Sequence, residues 1–382
     1  MFKLTDEQKL LVDTTKKLMK RDIRPVVDGL KAKGQSMTKE ICQELLKKTI
    51  PLGIMGNVVK EEYGGAGMDY LTYGLMYEQI DKAINSVIMI STGVTRAIAS
   101  LGTDAQREKW LPGLLNADLI GCTAITEPNV GSNPAFIETR AVEDGDYYVI
   151  NGNKLFITNG AIADVAIVVT SLDRSKGAKG LARFIVDKRE SPFEARHIKT
   201  IGGEEFLGEL IFEDCRVPKE NIVSAEGSGL KDQLAGFQVA RCFVGLTGLN
   251  LMNEAYEIAC QYARDRKQFG KTIGSFQLIA EMITDMLADI ETSKLLLYKA
   301  LSVIDEGLHV NSYSSMAKYW ATEAAVRVTS KAIQIHGAYG LCTEYPLEEL
   351  FRLARMLSIP DGTTEIQKLI VAREQLGISA LV

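Results

Sequence analysis

Apolar positions recur with a helical period at both ends of the chain and with a strand period between them. Glu7–Arg21 is a charged amphipathic run, Lys39–Lys48 is another, and Tyr70–Ile90 is a longer one rich in Leu, Met and Ile. Tyr63-Gly64-Gly65-Ala66-Gly67 interrupts them as a loop. From about Leu119 the texture changes. Tyr147-Tyr148-Val149-Ile150, Asn151-Gly152 and Leu155-Phe156-Ile157-Thr158 together predict a β-hairpin, because Asn-Gly supplies the positive φ of a type I′ turn. Val165–Leu172, Leu181–Val186 and Glu209–Phe212 continue the strands. Past Gly229 the helical period returns. Met252, Ala255, Tyr256, Ala259, Tyr262 and Ala263 mark one helix, Ile279, Met282, Ile283, Met286 and Ile290 the next, and Ser315–Ile335 a third. Thr364-Glu365-Ile366-Gln367 has the spacing of a capping box that opens a last helix toward Gly377. The pattern predicts an α+β chain of three parts: helices over 1–118, a β domain over 119–227 and a helical bundle over 228–382. The apolar stripes themselves signify core packing and no chemistry.

A chain of 382 residues, 46% hydrophobic, is long enough for more than one core, in agreement with that division. Uninterrupted apolar runs such as Val165–Val169 fall far short of the ~20 residues a membrane helix needs, and Met1–Asp6 carries no signal-peptide pattern, so a cytoplasmic location is expected. The net charge of −5, with both signs interleaved, offers no basic face for nucleic acid. The six cysteines form no CxxC or zinc-ligand spacing, and the three histidines, His197, His309 and His336, suggest no local metal site. Neither Gly65-Ala66-Gly67 nor Gly227-Ser228-Gly229 completes a dinucleotide fingerprint, and neither a GxSxG elbow nor an HExxH pair is present.

Four segments, Thr123–Ser132, Phe156–Gly160, Arg264–Gly270 and Pro360–Gln367, stand out as unusual for plain structure. Thr126-Glu127-Pro128-Asn129-Val130-Gly131-Ser132-Asn133 resembles the TEPxAGSD signature of the acyl-CoA dehydrogenases, with Val for Ala and Asn for the final Asp. Lys154-Leu155-Phe156-Ile157-Thr158-Asn159-Gly160 resembles their K-x-W/F-I-T-N-G strand. Arg266-Lys267-Gln268-Phe269-Gly270-Lys271 with Phe276-Gln277 is similar to the R-x-x-F-G-K/R…Q-x pair, and Gln334-Ile335-His336-Gly337-Ala338-Tyr339-Gly340 to the Q-x-x-G-x-x-G turn. With Glu62-Tyr63-Gly64-Gly65 near the start, the resemblance runs through essentially the whole chain in order.

The resemblance implies an N-terminal all-α domain, a middle β-barrel or sandwich domain, a C-terminal four-helix bundle, a homotetramer, an acyl-CoA substrate and FAD. It assigns Thr123, Ile125, Thr126, Gly131, Ser132, Phe156, Ile157 and Thr158 to the flavin ring. Arg266, Phe269, Gln277, Gln334, Ile335, Gly337 and Ala338 fall to the rest of the cofactor across a subunit boundary, and Thr363 and Glu365 are also cofactor positions. Arginine suits a pyrophosphate because its planar donor fork stays charged. Ser132, Arg241 and Gly362 are implied substrate contacts, with an ordinary structural ion pair the other reading of Arg241.

The family base is the Glu of a Y-E-G-T-S-Q-I-Q stretch, which here reads Pro360-Asp361-Gly362-Thr363-Thr364-Glu365-Ile366-Gln367, so Asp361 is the candidate base. Asp is one methylene shorter, about 1.5 Å of reach, which points to a short, branched or alicyclic acyl group. Some relatives carry the base before the Arg241 position, where this chain has Gln238, Val239 and Ala240, none able to accept a proton; Glu365 is the fallback. Electron-transfer flavoprotein is the implied electron acceptor. The altered base leaves open an enoyl-CoA reductase, a lyase or desulfinase, or a non-catalytic acyl-CoA-binding protein, and Arg96 raises a substrate with a distal carboxylate.

Overall fold

A computed structural model describes residues 4–202 and 206–380. The chain divides into two compact units, Met1–Met76 with Ala83–Phe237, and Tyr77–Lys82 with Gln238–Val382.

The first unit begins with helices α1 (Asp6–Leu18), α2 (Arg24–Ala32), α3 (Lys39–Lys47), α4 (Tyr70–Tyr77), α5 (Lys82–Leu101) and α6 (Asp104–Leu115). Capping boxes start two of them. Thr5 and Gln8 exchange hydrogen bonds at the head of α1, and Thr103 and Gln106 do so at α6. The amphipathic run expected over Glu7–Arg21 is helical throughout but passes into one π turn at Met19–Ile23.

The strands are β1 (Gly121–Ala124), β2 (Arg140–Asp144), β3 (Tyr147–Ile157), β4 (Val165–Ser171), β5 (Leu181–Asp187), β6 (Glu194–His197), β7 (Gly208–Pro218) and β8 (Ile222–Ser224). They form one sheet in the order β6-β7-β3-β2-β4-β5-β8, with β1 parallel to β4. β4 and β5 are buried at every position because both faces are covered. Ala166, Val168 and Phe184 join the core inside the sheet, whereas Val165, Ile167 and Ile185 pack on Val94 and Ile98 of α5 and Trp110 and Leu114 of α6. Trp110 Nε1 also donates to the buried Asp187 Oδ2 at 3.0 Å, fixing α6 on the sheet.

The hairpin turn expected at Asn151-Gly152 does not exist. β3 runs straight through it, and the turn lies before the strand, at Gly145 with φ 59°. Tertiary packing explains the glycine instead: at φ 147° its missing Cβ would sit 2.5 Å from Thr139 Oγ1, and the ladder to β7 bulges between Ile150 and Gly152. Gly152→Val is therefore expected to destabilise the protein by about 1–3 kcal/mol. An unchanged thermal midpoint would refute this account of the bulge.

The second unit contains the C-terminal part of α7 (Gly229–Asp265), the short hairpin β9 (Lys267–Gln268) and β10 (Lys271–Thr272), then α8 (Gln277–Asp305), α9 (Asn311–His336), α10 (Leu347–Leu357) and α11 (Thr364–Leu376). α9 is the axis, packed against α8, α10 and α11. The single helix expected over Tyr70–Ile90 is broken between α4 and α5. Asn250 of α7 donates to the carbonyls of Glu78 at 2.6 Å and Ile80 at 3.3 Å, so a side-chain amide takes acceptors that a continuing helix would use. The Glu78 carboxylate then accepts from Tyr298 at 2.6 Å and Asn253 at 3.0 Å. α5 and α7 are long and apolar enough to cross a membrane by length and composition, but 56% of each qualifying window is buried inside the protein.

Candidate active site

The α10–α11 loop, Ser358 to Thr363, carries the candidate base. Asp361 lies in the left-handed region with φ 54°, uncommon for a non-glycine residue, and Gly362 follows at φ 96°. At Gly362 a Cβ would come within 2.5 Å of Gln367 Nε2, so glycine is required. The loop turns its carbonyls inward. Gln367 donates to the carbonyls of Asp361 at 2.8 Å and Gly362 at 2.9 Å, and Lys318 of α9 donates to those of Ser358 at 3.0 Å and Gly362 at 2.9 Å. The expected capping box is thereby corrected. Thr363 is the N-cap, accepting from Ile366 N, Thr364 donates to Glu323 at 2.6 Å, and Gln367 serves the loop carbonyls rather than a cap.

Asp361 itself is half-buried, but its Oδ2 is enclosed with no hydrogen-bond partner. Burial pushes its carboxyl above the ordinary carboxylate range, opposed by the charges of Lys318 and Arg241. Glu365 differs in kind. It is exposed in the first turn of α11, where backbone N–H groups hold its carboxyl below the usual value. Arg241 is buried and bound inward, donating to Asn311 Oδ1 at 2.8 Å, Ser315 Oγ at 3.2 Å and the Asp361 carbonyl at 3.4 Å. Asn311 in turn donates to Glu374 at 2.7 Å. The guanidinium is thus hydrogen-bonded to neutral acceptors rather than to the carboxylate of an ordinary ion pair, and it is tied to the Asp361 loop as well.

In the same unit the positions implied for the cofactor cluster at one end of α9. Arg266, Gln277, Gln334, Gly337 and Ala338 are exposed, and the Arg266 guanidinium lies 5.7 Å from the Tyr339 ring centroid, which brings the β9–β10 hairpin to the Gly337–Leu341 turn. Phe269, at the hairpin tip, is 93% exposed. Beneath the turn, His336 stacks on Tyr262 with ring centroids 4.0 Å apart. Ile335 is buried, leaving its backbone as the only contact it can offer.

The first unit holds the remaining positions. Leu155 N donates to the Thr126 carbonyl at 2.8 Å, joining the loop after β1 to β3. A buried ion pair locks this junction: Lys154 donates to Glu127 Oε1 at 2.8 Å and to the Ile125 carbonyl at 3.1 Å, while Glu127 accepts from the backbone of Glu138 at 2.5 Å and Thr139 at 2.9 Å. Asn159 donates to the carbonyls of Val87 and Gly121, closing the same region. Ile157 is a core side chain, and Ile125 packs on Val130, Val169 and Leu181. Phe156 presents its ring, 56% exposed, from left-handed backbone at φ 57°.

These features fit FAD. Among the described residues the half-buried Thr123, Thr126 and Thr158 have no hydroxyl partner in the protein, so their hydroxyls are available to a flavin's polar edge. Gly131 and Gly337 each leave open the space a Cβ would fill. Arg266 supplies an exposed cation suited to a pyrophosphate.

Three family models match in succession: acyl-CoA dehydrogenase N-terminal domain over residues 5–118, middle domain over 122–215 and C-terminal domain over 227–376. The chain belongs to the acyl-CoA dehydrogenase family. This family member is 35% identical to the short-chain-specific acyl-CoA dehydrogenase of Clostridium acetobutylicum, over 97% of this chain and 98% of that one. Its fold matches butyryl-CoA dehydrogenase from Megasphaera elsdenii with a TM-score of 0.92 at 33% identity, covering 98% of this chain and 100% of the other. It also matches PigA in complex with FAD and proline, with a TM-score of 0.93 at 26% identity and 99% of both chains covered. The expected architecture of N-terminal helices, a middle sheet and a C-terminal helical domain is that of the family.

Lys318, Gln367 and the Glu127–Lys154 pair escaped the sequence reading as site-building residues. A signal for Lys318 was present: it falls in the buried series Ser314, Ala317, Ala321 and Ala325 of α9, where a charge requires a partner.

Proposed function

We propose that this chain is an FAD-dependent dehydrogenase of short, branched or alicyclic acyl-CoA thioesters, with Asp361 as the base. The observation that carries the reading is the enclosed, unpartnered Oδ2 of Asp361 in a loop held at its carbonyls by buried donors. FAD, when bound, supplies the acceptor for the hydride that leaves the β carbon. The chain's own part is to remove the α proton. A carboxylate raised above its ordinary range is a better base for a weakly acidic carbon acid, and its fixed backbone limits the conformations from which it can act. Thr123, Thr126 and Thr158 would orient the flavin edge and Phe156 would cover it, while Arg266 would hold the pyrophosphate.

Electron-transfer flavoprotein as electron acceptor, a homotetramer and a cytoplasmic location belong to the same proposal. The apolar side chains of Phe269, 93% exposed, and Leu278, 72% exposed, favour self-association, which burial of such groups would drive. Arg96 donates to Thr92 of its own helix at 3.2 Å and gives no separate support for a substrate with a distal carboxylate.

The test is anaerobic mixing of the flavin-loaded protein with a panel of saturated acyl-CoAs, following loss of the flavin absorbance near ~450 nm. Bleaching by short, branched or alicyclic thioesters is the expected result. Reaction with enoyl-CoA and reduced flavin only would replace the proposal with a reductase, and inertness toward both with a binding protein.

A further inference from the structure

We infer that Lys318 is the positioning residue of the base: its buried ammonium staples the two ends of the Ser358–Gly362 segment and presents a positive charge to the Asp361 carboxylate. The inference rests on reading Asp361 as the base.

Lys318 is fully buried in the N-terminal third of α9, a position that would otherwise call for an apolar side chain. Its bonds to the Ser358 and Gly362 carbonyls span the three residues between them. Within that span Asp361 is held at φ 54°, a sparsely populated conformation for a non-glycine residue that persists only where the surroundings over-determine it. Gln367 and Arg241 grip the Asp361 carbonyl, but both leave the Ser358 end free; Lys318 alone among these three joins both ends. The ammonium is also surrounded by charge. Asp361 faces it from the loop, Arg241 from α7, Glu323 from farther along α9 and Glu365 from α11, and Arg355 of α10 reaches the same loop through Ser358 Oγ at 2.5 Å. Burial pushes Lys318 down to about 8, with Asp361 opposing, so below that pH the cation is present and favours the ionised base.

Two effects can therefore be separated by substitution. Lys318→Met removes the staple and the charge. Lys318→Gln keeps donors for the two carbonyls and removes only the charge. In the flavin-loaded enzyme, Lys318→Met is expected to lose on the order of 10²-fold in kcat with KM changed little, because the base is misplaced while the substrate still binds. Its acid limb moves to higher pH. Lys318→Gln recovers part of kcat but retains the shifted limb. A second readout needs no turnover: the infrared carboxyl band of Asp361, identified by subtraction of Asp361→Asn, should titrate at higher pH in both Lys318 variants, with or without flavin. A merely structural lysine would alter melting and flavin content but neither the limb nor the band. The inference is overturned if either folded variant titrates and turns over like wild type while Asp361→Asn is inactive. If Asp361→Asn itself bleaches normally, the base assignment has failed instead, and the infrared titration alone then decides whether Lys318 controls Asp361.

Discussion

Replacing Asp361 by Asn is expected to reduce the rate of flavin bleaching by saturated acyl-CoA on the order of 10²–10⁴-fold, the usual contribution of a positioned general base. Asn is nearly isosteric and leaves the Asp361 and Gly362 carbonyls in place for Gln367, Lys318 and Arg241, so flavin content and substrate binding should persist. Binding of the thioester, read from the perturbed flavin spectrum, provides that control. Stability should move in the opposite direction to activity. The Asp361 carboxyl is raised in the folded protein, so its favourable contribution is present at low pH, where it is protonated, and is lost as pH rises through the folded value. Asp361→Asn, which carries no charge at any pH, should thus melt above wild type at pH 8 and converge with it in acid. Wild-type bleaching by the variant would eliminate Asp361 as base, and a stability difference that widens in acid would contradict the account of its burial.

Lys154→Met is expected to destabilise the first unit by about 3–5 kcal/mol, because it strands the Glu127 carboxylate in the core. Burial already pushes the Lys154 ammonium down to about 8 against the pull of Glu127, and side-chain exposures of 0% and 2% leave no water to replace either partner. Flavin affinity should fall with it. The pair holds the Ile125 carbonyl and the Glu138 and Thr139 amides, so without it the loop bearing Thr126 loses its fixed relation to β3. A Glu127→Met, Lys154→Met double variant removes both charges and should recover much of the stability, since an apolar pair of similar volume often replaces a buried ion pair at little cost. Chemical denaturation and flavin titration measure the two effects. Equal stability of Lys154→Met and wild type would show that the pair contributes nothing, and a double variant less stable than either single one would refute the stranded-charge explanation.

Much of the arrangement is legible in the sequence. Helical periodicity located α3 to within a residue and the stretches now seen as α7, α8 and α9, because amphipathic helices must carry their apolar stripe at a fixed spacing. β4 and β5 were legible for a different reason: strands covered on both faces are uninterrupted apolar runs. The failures have a common origin. Asn151-Gly152 has the composition of a hairpin turn, and Gly152 is used instead where β3 passes Thr139; Tyr70–Ile90 has the composition of one helix, and Asn250, distant in sequence, captures the carbonyls at its break. Local propensity is a weak prior wherever a partner from elsewhere in the chain competes for the same backbone groups.

For the site, the sequence by itself determined the chemistry: which acids and hydroxyls exist, that Gln238, Val239 and Ala240 offer no base, and that Asp361 precedes a glycine. Residue identity settles what a side chain can donate or accept. The tertiary structure alone decided which of these groups act together. It enclosed Asp361 and left Glu365 in solvent, turned Gln367 from a capping residue into a clamp, and brought Lys318 to carbonyls 40 and 44 residues away in sequence. Burial and long-range pairing set charge states and fix loop geometry, and both depend on what the rest of the chain packs around a residue.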